Sequence, residues 1–176
     1  MCERESNKYF RMNFKRNFKN ELLTTIATLL QDICEENDFS NLQNDDLIKP
    51  FIGKIENMSV EDFLKRCLYY SNAESSTFII MLIYIDRLCE KNGFIINSFN
   101  VYKIIFSSLL IAIKYHEDNL VDNNYYGKIL GENLEEINIL ENKFCKLIDY
   151  KLFIDDEIFK TYYNDLTSAI DVCVNC

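Results

Sequence analysis

Glycine occurs four times, and proline and histidine once each, in 176 residues. So few glycines leave no Gly-rich loop to cradle phosphate, and no His-Glu-x-x-His pair or serine elbow is present. Any His-based triad or metal cluster would have to use His116 alone. Long apolar runs are missing too, since Phe78-Ile-Ile-Met-Leu-Ile-Tyr-Ile85 falls far below the roughly 20 residues that span a bilayer. Positive charge is scarce: Lys plus Arg is 19 against 28 Asp plus Glu, a net charge of −9. That balance repels phosphate backbones, so no nucleic acid partner is expected, and a basic protein partner is easier to accommodate. The cationic exception, Lys8, Arg11, Lys15, Arg16 and Lys19, reads as a solvated lead-in.

The seven cysteines are odd in number and scattered through apolar patterns. This usage fits buried thiols in a reducing compartment, and an intracellular protein, cytoplasmic or nuclear, is expected. Cys173-Val-Asn-Cys176 has the spacing of a metal or redox pair. It lacks a second pair and a set of histidines, so no metal is expected there.

An apolar content of 48% in this length supports one good core. Leu22, Leu23, Ile26, Leu29, Leu30 and Ile33 recur at helical spacing and predict a first helix over about 20–36. A polar connection closes at Pro50, where the compact domain is expected to begin. Ser59 can cap a helix running to about Ser71, with Asp62 completing a shortened capping box. A central helix follows from near Ala73 to Gly93, and a third is expected to be capped by Asn97 or Ser98 and to end in the stretch Ala112-Ile-Lys-Tyr-His116. A short helix ending near Gly131, a longer one from Leu134 and a final amphipathic segment over 155–170 complete an all-α reading. The expected division is 1–49 as a lead-in with one helix, 50–152 as the domain proper, and 153–176 as a C-terminal helix and tail.

Catalytic constellations do not emerge, so neither enzyme activity nor a cofactor is expected. His116 reads as a surface residue favoured in its charged form by a helix C-terminus. Glu117 with Asp118, and Asp155-Asp-Glu157, read as solvated faces, the latter as the negative first turn of the last helix. Asp86-Arg87 follows the most apolar segment, where a buried charge needs a partner. Arg66, on the preceding helix, is the expected structural ion-pair partner of Asp86.

The order of signals resembles a cyclin box, and specifically that of the phosphate-pathway or P/U-type cyclins. The resemblance rests on Tyr84-Ile-Asp-Arg87, Asn100-Val with Ala112-Ile-Lys-Tyr115, Asp122-Asn-Asn-Tyr-Tyr-Gly-Lys128, Leu134-Glu-Glu-Ile-Asn138 and Leu140-Glu-Asn-Lys-Phe144. It covers roughly residues 50–152. It implies a five-helix box with added N- and C-terminal helices, which binds and activates a cyclin-dependent Ser/Thr kinase as a heterodimer by packing against the kinase's C helix. The residues matching Lys114 and Glu141 would reach kinase backbone groups, and an intramolecular ion pair between the two is the plainer alternative. Phe106, Leu110, Ile113, Phe144 and Ile148 are candidate apolar anchors, and Tyr115 a rim residue. A cyclin-fold scaffold or transcription-related binding module is the competing reading. Tyr102-Lys103 stands where the family tends to have His-Arg, and Gly127 where alanine is usual.

Overall fold

The computed structural model describes residues 2–38, 48–53, 57–118 and 121–174, with residues 2–16, 92 and 173–174 described by their backbone. Most of the polar connection before Pro50, the side chains of Lys8, Arg11, Lys15 and Arg16, and the Cys173–Cys176 pair lie outside the described residues. Seven α-helices form the chain among the described residues: α1 (Cys2–Asn37), α2 (Val60–Ser71), α3 (Ser75–Asn92), α4 (Val101–His116), α5 (Asn123–Leu130), α6 (Leu134–Leu147) and α7 (Asp156–Val174). The all-α expectation holds, with α1 starting well before residue 20.

Helix starts follow capping chemistry. Ser59 Oγ accepts from the Asp62 N–H at 3.0 Å and donates to Asp62 Oδ2 at 2.8 Å. Asp122 caps α5 through the Tyr125 N–H, and Asn133 caps α6 through the Glu136 N–H. Gly93 and Gly131 end α3 and α5 in the left-handed conformation, with φ of 57° and 77°. The start of α4 differs from expectation. Asn97 Oδ1 accepts from the Phe99 N–H and Asn100 Oδ1 from the Asn97 N–H, both at 3.0 Å, so these amides close local turns and the helix begins only after Asn100.

Helix α4 is the axis of the domain. It packs on α2, α3, α5 and α6, and Val101 through Ile113 are buried with the single exception of Lys103. A helix apolar all round must be enclosed, and this one is. Its buried Ser107 and Ser108 hydroxyls donate to the Lys103 and Ile104 carbonyls, at 2.7 and 2.8 Å, which removes the cost of burying them. Outside this core, α1 lays Leu22, Leu23, Ile26, Leu30 and Cys34 against α2, α3 and α7.

The expected Arg66–Asp86 pair does not form. Arg66 Nε and Nη2 donate to the Ile129 and Lys128 carbonyls, capping the C-terminus of α5 at 2.8 and 2.7 Å. Asp86 Oδ2 instead accepts from the Tyr162 hydroxyl on α7 at 2.5 Å. Each group finds a partner that sequence proximity did not suggest.

Gly127 has a steric reason. A Cβ there would sit 2.7 Å from the Glu132 carbonyl oxygen, because the chain folds back over α5 immediately after Gly131. Beside it, Lys103 pairs with Glu132 at 3.2 Å. Tyr102 donates its hydroxyl to the Met58 carbonyl at 2.5 Å. The two residues that depart from His-Arg are thereby tied to neighbouring segments.

Candidate functional site

Lys114 sits in the last turn of α4, one residue beyond the buried run. Its Nζ donates to both carboxylate oxygens of Glu141 on α6, at 2.7 and 2.8 Å, with the side chains 31% and 24% exposed. The ammonium thus surfaces at the rim of the core and meets a carboxylate there, which is the arrangement that burial energetics demand. A third residue completes the cluster. Asn123 Nδ2, at the start of α5, donates to Glu141 Oε2 and to Asn138 Oδ1, both at 2.7 Å. Its own Oδ1 is buried with no hydrogen-bond partner among the described residues. Sequence reading missed Asn123, although it lies inside the Asp122-Asn-Asn-Tyr-Tyr stretch.

The five candidate apolar anchors do not lie at the surface. Phe106, Leu110, Ile113, Phe144 and Ile148 are each at most 2% exposed and belong to the core, because α4 is surrounded on all sides. Tyr115 stays at the surface, 51% exposed. It lines a cavity of about 620 Å³ with Ile148, Leu152 and two aromatic residues from the segment after α6, Tyr150 and Phe153, while Arg87, Glu90, Lys91 and Lys151 make up the charged remainder of the lining. Those two rings are 60% and 73% exposed. Tyr115, which lines the cavity, follows Lys114 in sequence, so the cavity reaches the end of α4 that carries the polar cluster.

The segment that carries these rings is held by the Tyr84-Ile-Asp-Arg87 motif. Arg87 Nη1 donates to the Lys151 carbonyl at 2.6 Å, and the Tyr84 hydroxyl donates to the Leu152 carbonyl at 2.7 Å. Three residues apart on α3, the two side chains point the same way and pin consecutive carbonyls. Asp149 and Tyr150 both adopt positive φ, 53° and 54°. That conformation costs roughly 1–2 kcal/mol per non-glycine residue, so the segment needs such fastening. Lys91 adds an ion pair to Asp149.

His116 lies at the surface at the end of α4, as expected, but its favoured charge state differs from expectation. Tyr84 spends its one proton on Leu152, so it accepts from His116 Nε2–H at 3.0 Å, which fixes the tautomer. Burial pushes the His116 pKa below its usual value, against an opposing backbone hydrogen bond to Leu152. The neutral imidazole is favoured, and the helix dipole does not prevail. Glu117 also has a role: its Oε1 accepts from the Glu74 N–H at 3.0 Å and the Thr77 hydroxyl at 2.5 Å, covering the N-terminus of α3. Among the described residues, no group of three or more His, Cys, Asp or Glu is placed to hold a metal. No described helix is long and apolar enough to cross a membrane.

The Cyclin family model matches residues 13–152. The chain is 36% identical to Cyclin-U4-3 of Arabidopsis thaliana over 143 residues, covering 80% of this chain and 64% of that protein. It is 32% identical to Cyclin-U2-1 of the same plant over 120 residues, 68% of this chain and 54% of the relative. PHO85 cyclin-7 of Saccharomyces cerevisiae is 29% identical over 168 residues, 82% of this chain and 59% of the relative. The chain therefore spans about half to two thirds of the length of these relatives. With a family match that takes in all five helices α2–α6 and most of α1, and relatives of the U and PHO85 types, this chain belongs to the cyclin family.

Proposed function

We propose that the chain is the regulatory subunit of a cyclin-dependent Ser/Thr kinase and docks through the face built by the end of α4, the start of α5, α6 and residues 149–153. The observation that carries this reading is a cavity edged by exposed aromatic rings, with Phe153 73% exposed, that reaches Tyr115, the residue after Lys114 of the Lys114–Glu141 cluster, in a cyclin box. Exposed aromatic rings around a cavity supply apolar area to a partner, and aromatic anchors commonly dominate interface energetics. The polar cluster is preorganised by Asn123, so little ordering remains to be paid on docking. Both Lys114 and Glu141 keep accessible surface with which to meet backbone groups of the partner.

The mechanism is binding without chemistry by this chain. A kinase whose inactive C-helix state is favoured by a few kcal/mol is redistributed by a subunit that binds only the active arrangement. ATP, magnesium and the transfer residues belong to the kinase. Such a complex operates inside the cell.

The test exchanges the two charges. Lys114→Glu with Glu141→Lys retains opposite charges at the two positions while inverting the polarity offered to a partner; since a lysine cannot accept from the Asn123 amide, circular dichroism and the melting temperature check that the variant is folded. Wild-type protein is expected to recover ATP-dependent phosphorylation of a generic substrate from lysate of the source organism, and the exchanged variant to recover at most about a tenth of it. Equal recovery by both, or none by a folded wild type, contradicts the reading and favours a scaffold.

A further inference from the structure

A second cleft lies where the two flanking helices meet the box. It measures about 550 Å³, within the range of small-molecule sites. Leu82, Ile85 and Cys89 of α3 contribute to it, with Leu29 and Ile33 of α1 on one side and Leu166 and Ala169 of α7 on the other. Leu29 and Ile33 are exposed, one helical turn apart, which marks the cleft as open on the α1 side.

Two aspartates set the charge of what fits. Asp86 and Asp165 both line the cleft and are both exposed, so they stand at its mouth. The described lining residues include no Lys and no Arg. The Tyr162 hydroxyl bridges α7 to α3 by donating to Asp86, but a carboxylate accepts several hydrogen bonds and is not exhausted by one. An apolar interior rewards a hydrocarbon or aromatic body, and two aspartates with no Lys or Arg among the described lining residues reward a positive head group.

The geometry points to a binding site for a small amphiphilic amine, its apolar body held between α1, α3 and α7 and its ammonium group at Asp86 and Asp165. The site shares no lining residue with the cavity of the proposed kinase face, although both border α3, and does not depend on that reading. A ligand there would join both flanking helices to α3.

The experiment titrates the full chain calorimetrically with three probes of one body and different charge: octylamine, 1-octanol and octanoate. Octylamine is expected to bind saturably at a single site, about tenfold tighter than octanoate, and to raise the melting temperature. Asp86→Asn with Asp165→Asn keeps an acceptor for Tyr162 and should erase the preference among the probes while leaving octanol binding unchanged. Ala169→Trp fills the cleft and should abolish binding of all three. Absence of saturable octylamine binding to folded protein overturns the assignment. So does equal affinity for octanoate, or wild-type preference in the double asparagine variant. Should Ala169→Trp fail to fold, the asparagine variant still decides.

Discussion

Lys114 is legible in the sequence as an ammonium at the end of an apolar run, and Glu141 as its counterpart only through resemblance. Asn123, which ties the pair to α5, was not legible, because an asparagine next to an N-cap reads as turn chemistry and its long-range partners belong to another helix. Gly127 shows the same limit: the carbonyl that forbids a Cβ comes from Glu132, after a reversal of the chain. Gly127→Ala is expected to destabilise by roughly 1–3 kcal/mol, read as a lowered melting temperature with unchanged helicity. His116 supplies a pH dependence with a definite sign. Its folded pKa lies below the unfolded value near 6.5. The unfolded chain therefore takes up the proton first, so the contribution is full above that value and is lost as pH falls through the folded pKa. Between about pH 7.5 and about pH 5.5, wild type should lose more thermal stability than His116→Gln, and equal losses would contradict the preference for a neutral imidazole.

Element boundaries were readable where the cap lies next to the helix it serves, as with Ser59, Gly93 and Gly131. The start of α4 was not, because Asn97 and Asn100 satisfy one another in a local turn. Nor was the role of the Tyr84-Ile-Asp-Arg87 motif, whose partners lie on residues 151–152 and on α7. Three of its side chains act as a clasp between α3 and everything that follows α6. Tyr84→Phe removes a hydroxyl that serves Leu152 and His116 at once, and is expected to cost about 1–3 kcal/mol. Hydrogen exchange would register the loss as faster exchange over residues 149–154 with protection in α4 intact. Uniform loss across the domain would mean that the clasp supports the core as a whole.

At the scale of the molecule, fold class and helix order followed from apolar periodicity, while the identity of the surface did not. A helix apolar on every side offers its outward residues to neighbours that single-sequence periodicity cannot enumerate, so Phe106, Leu110 and Ile113, expected at a surface, are buried on a helix that packs on α2, α3, α5 and α6. Core and interface roles separate cleanly in mutants. Phe144→Ala should cost about 3–5 kcal/mol and reduce kinase binding only by unfolding the protein. Tyr150→Ala with Phe153→Ala should shift stability by no more than about 1 kcal/mol and still weaken kinase binding about a hundredfold. The most direct measurement is amide hydrogen exchange of the chain alone and in complex with the kinase it recovers. The account predicts new protection over residues 112–116 and 149–154, with α7 unchanged. Protection confined to α1 and α7, or none at the α4 terminus and the segment after α6, would contradict it.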